Sequence, residues 1–95
     1  MAMGTVWRKD VADILRRIND VFQDLLEDDQ LVVGRETTAA DVAGWDSLMH
    51  VRLILESEKV FGVRFLSSEV AALRNVGDLV DAIASKTHVE PARSL

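Results

Sequence analysis

Asp46, Ser47 and His50 are the residues whose types and spacing could do chemistry in this chain. They stand in and just after the run Gly44-Trp45-Asp46-Ser47-Leu48, where a polar loop meets an apolar-periodic segment. Aspartate is a strong helix N-cap, so the pattern predicts a helix that begins at Ser47 with the serine hydroxyl in its first turn. A helix start carries unpaired N–H groups and a partial positive charge, and it favours a bound or attached phosphate. Ser47 is therefore either a plain helix-start residue or the point where a phosphate-linked group is carried. A Ser-His-Asp relay is formally present, but three residues within one helical turn project in different directions and do not line up for proton transfer. Asp46 and His50 alone fall short of the three or four ligands a metal site needs, and the other histidine, His88, lies near the C-terminus. The acidic run Glu27-Asp28-Asp29 is followed by no loop with ligands at alternate positions, which argues against calcium. A P-loop is excluded, because no glycine-rich loop precedes a Lys-Ser/Thr pair. The chain has no cysteine, so any thiol it uses must arrive on a cofactor. So few catalytic candidates predict a protein that is not an enzyme and has no metal site.

With 95 residues the chain makes one domain, with a small core and modest stability. Sixteen acidic against eleven basic residues give a formal net charge of −5, the wrong sign for a nucleic-acid binder. No apolar run approaches the length of a membrane span, and the N-terminus lacks the basic and apolar regions of a signal peptide. The expectation is a cytoplasmic protein, monomeric as a small shuttle would be.

The elements that must position Ser47 follow from periodicity. Val11, Ile14, Leu15, Ile18, Val21, Phe22, Leu25 and Leu26 recur at spacings of three and four, predicting a long amphipathic helix over about 7–27. Its last turn runs into three acids, which oppose the helix dipole. Residues 28–46 show no sustained period and read as a long loop, pinned to the core by Leu31, Val32 and Val42, with one helical turn at 39–42. The second helix runs from Ser47 to about Phe61 and stops at Gly62. After an extended link at 63–66, Ser67 or Ser68 is expected to cap a short third helix over 68–73. Asn75 with Asp78 resembles a capping box at the start of a last helix over 76–87. The reading is an all-α, small four-helix bundle, three main helices and one short, with a long loop after the first. Its boundaries are a disordered start at 1–5, a folded domain at 6–88 and a disordered tail at 89–95, with His88 in a fraying end and Pro91 in the tail.

Asp46-Ser47-Leu48 at the start of an amphipathic helix resembles the acyl carrier protein family. The likeness extends to Glu58 and Phe61 followed by Gly62-Val63-Arg64-Phe65, to Val76-Gly77-Asp78-Leu79-Val80, and to the long first helix and loop, covering about residues 7–87. The resemblance implies that a phosphopantetheinyl transferase moves 4′-phosphopantetheine from coenzyme A onto Ser47, beside Asp46, and that acyl groups then ride on its thiol as thioesters. It implies acyl-loading and acyl-processing enzymes as partners. It leaves open a peptidyl or aminoacyl carrier, and an unmodified helical interaction module with the same fold.

The second helix carries two apolar arcs, Leu48, Val51 and Leu55 on one side and Leu53, Ile54, Val60 and Phe61 mainly on the other. The resemblance implies that the first arc lies beside the cofactor and docks to partners while Leu53 and Phe61 are core. Trp45 reads as a packing aromatic and His50 as a solvated first-turn residue. Met49, Arg52 and Lys59 stand where carriers of bacterial fatty-acid synthesis commonly have an acid. From Asp46 to Gly62 the charge sums to only −1, from Asp46, Glu56 and Glu58 against Arg52 and Lys59. That predicts weak steering to a basic partner surface, and hence a specialised stand-alone carrier for an acyl or polyketide-type pathway.

Overall fold

The computed structural model describes residues 11–93, with side chains described as far as Thr87. Four helices follow in order: α1 (Val11–Leu26), α2 (Ser47–Phe61), α3 (Ser67–Ala72) and α4 (Val76–Arg93), with a 3₁₀ turn at Ala39–Asp41 in the long loop. The expected helix start at Trp7, the expected disordered residues 1–5 and the last two residues of the expected tail lie outside the described residues.

The period of α1 buries Ile14, Ile18, Val21 and Phe22, and α1 packs on both α2 and α4. Met49, Leu53 and Ile54 of α2 and Val76, Leu79, Val80 and Ile83 of α4 complete the core. The helix closes at Leu26, and Glu27 turns the chain at a positive φ of 52° as the Asp28 N–H donates to the Gln23 carbonyl.

The long loop is held differently from the expectation. Val32 is 80 % exposed, and the neighbouring Val33 enters the core with Val42. Alternation along an extended segment puts only one of two adjacent valines inward, and polar groups of α1 fix which one. The Val33 N–H donates to Asn19 Oδ1 at 2.7 Å, while Asn19 Nδ2 and Gln23 Nε2 donate to the Leu31 carbonyl at 3.3 and 3.0 Å. Farther on, the loop caps α4. The Val76 N–H donates to the Thr37 carbonyl at 2.9 Å and the Gly77 N–H to the Arg35 carbonyl at 2.8 Å. Arg35 also makes a two-pronged ion pair with Asp81 of α4. The loop is thus tied to α1 at residues 31–33 and to α4 at residues 35–37, with Val42 in the core on the way to Ser47.

Two caps depart from the expected ones. In α3 neither serine caps: Leu66 precedes the first helical residue, Ser67, and Glu69 reaches back to accept the Leu66 N–H at 2.7 Å. A carboxylate on N3 satisfies one free amide without a serine. At α4, Asn75 Oδ1 accepts from the Asp78 N–H at 2.8 Å, whereas the shorter Asp78 carboxylate accepts from Arg74 N–H at 3.0 Å instead of closing the box on Asn75.

The last helix is longer than expected. It runs through His88, Glu90 and Pro91 to Arg93 instead of giving way to a tail after 88. A proline removes one backbone hydrogen bond from a helix, and this helix continues past Pro91 despite that loss.

Candidate functional site

Ser47 is the first helical residue of α2 and is exposed. Asp46 takes the extended backbone of an N-cap (φ −116°, ψ −168°), and its Oδ1 accepts from the Met49 N–H at 2.9 Å. Its carbonyl accepts from the His50 N–H at 2.9 Å, the first bond of the helix. No partner is found among the described residues for the amides of Ser47 and Leu48. Those two amides and the helix dipole leave a small electropositive patch beside the Ser47 hydroxyl. The helical residues of the first turn of α2 include no acid, and the Asp46 carboxylate at the cap is turned to the Met49 N–H. At the other end Gly62 takes the left-handed conformation (φ 67°, ψ 38°). Its N–H and that of Val63 donate to the Glu58 carbonyl, closing the helix where the sequence predicted.

The three residues that suggested a relay are otherwise engaged. Asp46 is held on Met49, and His50 is tied to Trp45, whose indole N–H donates to His50 Nδ1 at 3.2 Å with the rings stacked 6.0 Å apart. His50 is therefore half-buried and partnered, not the solvated residue the sequence suggested. Trp45 packs as expected: its ring meets Phe22 of α1 edge-on at a centroid distance of 5.0 Å. This stack anchors the residue before the cap to the core. Local sequence signals did not reveal it, because it joins a loop residue to a helix residue five positions on and to a third residue in another helix.

The two arcs of α2 resolve onto opposite faces. Leu48, Val51 and Leu55 are 67 %, 53 % and 54 % exposed. Arg52 and Lys59 are exposed on the same side. Leu53 and Ile54 are buried and Phe61 is half-buried against the core, but Val60 stays at the surface. Met49 is a buried core residue and not an exposed position of altered charge. It lies nearly opposite Val51 on the helix, facing α1. The departure from an acidic helix thus rests on Arg52 and Lys59.

Two further contacts hold the exit of α2. Glu58 accepts the Phe65 N–H at 2.9 Å. Lys86 of α4 makes a two-pronged ion pair with Glu69 of α3 and lies 5.4 Å from the Phe65 ring centroid. Among the described residues no cluster of three or more metal-ligating side chains occurs, and no helix is long and apolar enough to cross a membrane.

Residues 11–83 match the family described as "Phosphopantetheine attachment site". The chain is 42 % identical over 52 residues to the acyl carrier protein of Acidothermus cellulolyticus, covering 55 % of this chain and 62 % of that one. It is 31 % identical over 77 residues to the acyl carrier protein of Clostridium acetobutylicum, covering 81 % and 97 %. The fold superposes on the solution NMR structure of holo acyl carrier protein from Geobacter metallireducens with a TM-score of 0.78 and 35 % identity, over 84 % of this chain and 92 % of that one. A four-helix chain with a capped, exposed serine at the head of α2 and this set of relatives belongs to the phosphopantetheine-binding acyl carrier protein family.

Proposed function

We propose that Ser47 is the residue that bears 4′-phosphopantetheine, and that the chain serves as a stand-alone carrier for a dedicated acyl or polyketide-type pathway. The observation that carries the assignment is the exposed Ser47 hydroxyl at the capped start of α2, with two unengaged amides beside it. The residues fit the group: a phosphodiester on Ser47 would lie in the favourable field of the helix start, with Asp46 turned to the Met49 amide. When bound, phosphopantetheine supplies a flexible arm ending in a thiol that holds acyl groups as thioesters.

The chain's own residues position and present. Asp46 fixes the first turn, and Trp45 locks the preceding loop onto Phe22. Leu48, Val51 and Leu55 present an apolar strip beside the attachment point. The carrier family is not itself catalytic, and the engagement of Asp46 and His50 elsewhere supports the same reading for this chain. A tether raises the local concentration of its cargo at each enzyme it visits. A monomeric cytoplasmic shuttle that meets a transferase, loading enzymes and processing enzymes in turn accords with the small size and the charge of −5.

Intact mass measurement after incubation with coenzyme A and a phosphopantetheinyl transferase tests the attachment. The expected result is a gain of one phosphopantetheine on the wild type and none on Ser47→Ala. An unmodified wild type would point to an interaction module without a prosthetic group. The dedicated pathway is tested by competition with a housekeeping carrier for a fatty-acid malonyl transferase. Equal use of both carriers would refute it.

A further inference from the structure

We propose that the outward face of α2 docks to enzymes whose entrance for the arm is an apolar surface rimmed by carboxylates. The inference rests on the reading of Ser47 as the attachment residue. The chain has a net charge of −5, yet the charged residues inside the exposed arc of α2 are Arg52 and Lys59, with Glu56 about 40° beyond its Arg52 edge. At about 100° per residue, Val51, Leu55, Leu48, Lys59 and Arg52 fall within one arc of about 100°. Glu58 lies beyond the Val51 edge of that arc, where its carboxylate accepts the Phe65 amide.

Both cations are exposed. Arg52 makes no ion pair among the described residues, and Lys59 reaches Glu56 only at 3.9 Å, with both side chains exposed. An exposed pair of that kind contributes little and is readily exchanged for a better partner. An arm that starts at Ser47 leaves from one end of this face, so an enzyme that receives the arm must approach it. With a rise of 1.5 Å per residue, Arg52 lies about 7.5 Å and Lys59 about 18 Å along the axis from Ser47. A standard interface covers about 800 Å² per partner, a patch about 30 Å across, so both cations fall inside it. There a basic rim would meet like charge, whereas a carboxylate rim would meet a planar guanidinium able to bind it through two N–H groups. An anionic bilayer also presents acidic groups, but it would repel a chain of this net charge as a whole. A protein surface with localised carboxylates meets the cations without that cost.

The test uses one bacterial fatty-acid condensing enzyme whose entrance is rimmed by Lys and Arg, and a variant of it with those residues changed to Glu. Activity of the variant on a free pantetheine thioester verifies its fold. Binding of the isotope-labelled chain is followed through the α2 amide shifts, and cross-linking of the phosphopantetheine-bearing chain gives a second rate. The wild type is expected to bind the acid-rimmed enzyme about tenfold more tightly than the basic-rimmed one, with the preference shrinking as salt shortens the screening length. Arg52→Glu with Lys59→Glu is expected to reverse the preference. Arg52→Gln with Lys59→Gln is expected to abolish it while leaving the circular dichroism unchanged. Equal binding to both enzymes, or a preference that survives the Gln changes, overturns the proposal. So does co-sedimentation with phosphatidylglycerol vesicles that the Gln changes abolish, which assigns the cations to lipid. A chain that accepts no phosphopantetheine sinks the attachment reading, whereas a modified chain with no rim preference sinks only this one.

Discussion

Changing Gly77 to Ala tests how the long loop is held in register with α4, because two effects of known size oppose each other there. Gly77 sits in the first turn of α4, where replacing a helical glycine by alanine ordinarily stabilises by about 0.5–1 kcal/mol. Its N–H also donates to the Arg35 carbonyl at 2.8 Å, and an added Cβ would lie 2.9 Å from that same oxygen and 3.1 Å from Arg35 Cβ. Ordinary carbon–oxygen contacts start at about 3.3 Å, so the loop backbone must retreat by a few tenths of an ångström. The retreat stretches the Gly77–Arg35 bond and, through residues 35–37, the Val76–Thr37 bond beside it. Losing the net value of both costs about 2 kcal/mol, more if the buried amides are left unpaired. The loss outweighs the propensity gain, giving a net destabilisation of about 1 kcal/mol. For a domain of this size that lowers Tm by about 4–8 °C. Gly34→Ala is the control: nothing lies within 4 Å of its added Cβ, so it is expected to be neutral or stabilising by up to about 1 kcal/mol. Thermal and urea unfolding of the two variants measure the difference. A Gly77→Ala chain at least as stable as the wild type would refute the close-approach argument.

Asp46→Ala is expected to lose about 1 kcal/mol in urea unfolding, while Asp46→Asn stays within a few tenths because asparagine caps equally well; a matching loss in both would mean the cap is not what Asp46 supplies. Trp45→Phe keeps the ring against Phe22 but removes the indole N–H from His50, and is expected to cost about 1 kcal/mol, with no change in stability counting against the bond. Lys86, and then the Leu66 amide, hold the Glu69 carboxyl below its usual range. Because that folded-state pKa is depressed, the stabilisation is present above the unfolded value of about 4.3 and is lost as pH falls through the folded one. Urea midpoints of the wild type should therefore fall more steeply than those of Glu69→Gln as the pH drops below that unfolded value, and parallel curves would contradict the assignment. Leu55→Gln lies on the outward face and should leave stability within about 0.5 kcal/mol while slowing cross-linking to partner enzymes; a large loss of stability would mean that the face is packed.

What could be read from the sequence was local. Asp46 and Gly62 bracket α2 because a cap and a left-handed glycine act within a few residues of themselves, and the period of α1 marks its buried face directly. The two arcs of α2 were equally visible, though periodicity alone could not say which one faces inward. The loop was the part that periodicity could not reach. Asn19 and Gln23 occupy the polar edge of α1, and nothing in their spacing says that they hold Leu31 and Val33. Arg35 and Asp81 are 46 positions apart, and no short-range rule pairs them. The partner of His50 escapes local rules for the same reason, since it is chosen by where Phe22 places the Trp45 ring. Met49 stands beside Leu53 on the helix, so it goes inward with that arc once packing against α1 decides which side of α2 is core.

The arrangement of α2 separates two tasks that a small carrier must combine. Its inner face, with Met49, Leu53, Ile54 and the fully buried Ser57, whose hydroxyl donates to the Leu53 carbonyl at 2.7 Å, supplies part of the core. Its outer face contributes little to folding, because Leu48, Val51 and Leu55 remain largely in water. On the proposed docking role of this face, substitutions there would retune partner choice at almost no cost in stability, and Arg52 and Lys59 are residues of that kind. The head of the helix has no such freedom. Asp46 caps α2 and adjoins Ser47, and Trp45 one residue earlier is wedged between Phe22 and His50. A change there disturbs the helix start, the loop anchor and the attachment geometry together. On the proposed assignment of Ser47 and the outer face, the attachment site is thus coupled to folding and the choice of partner is not.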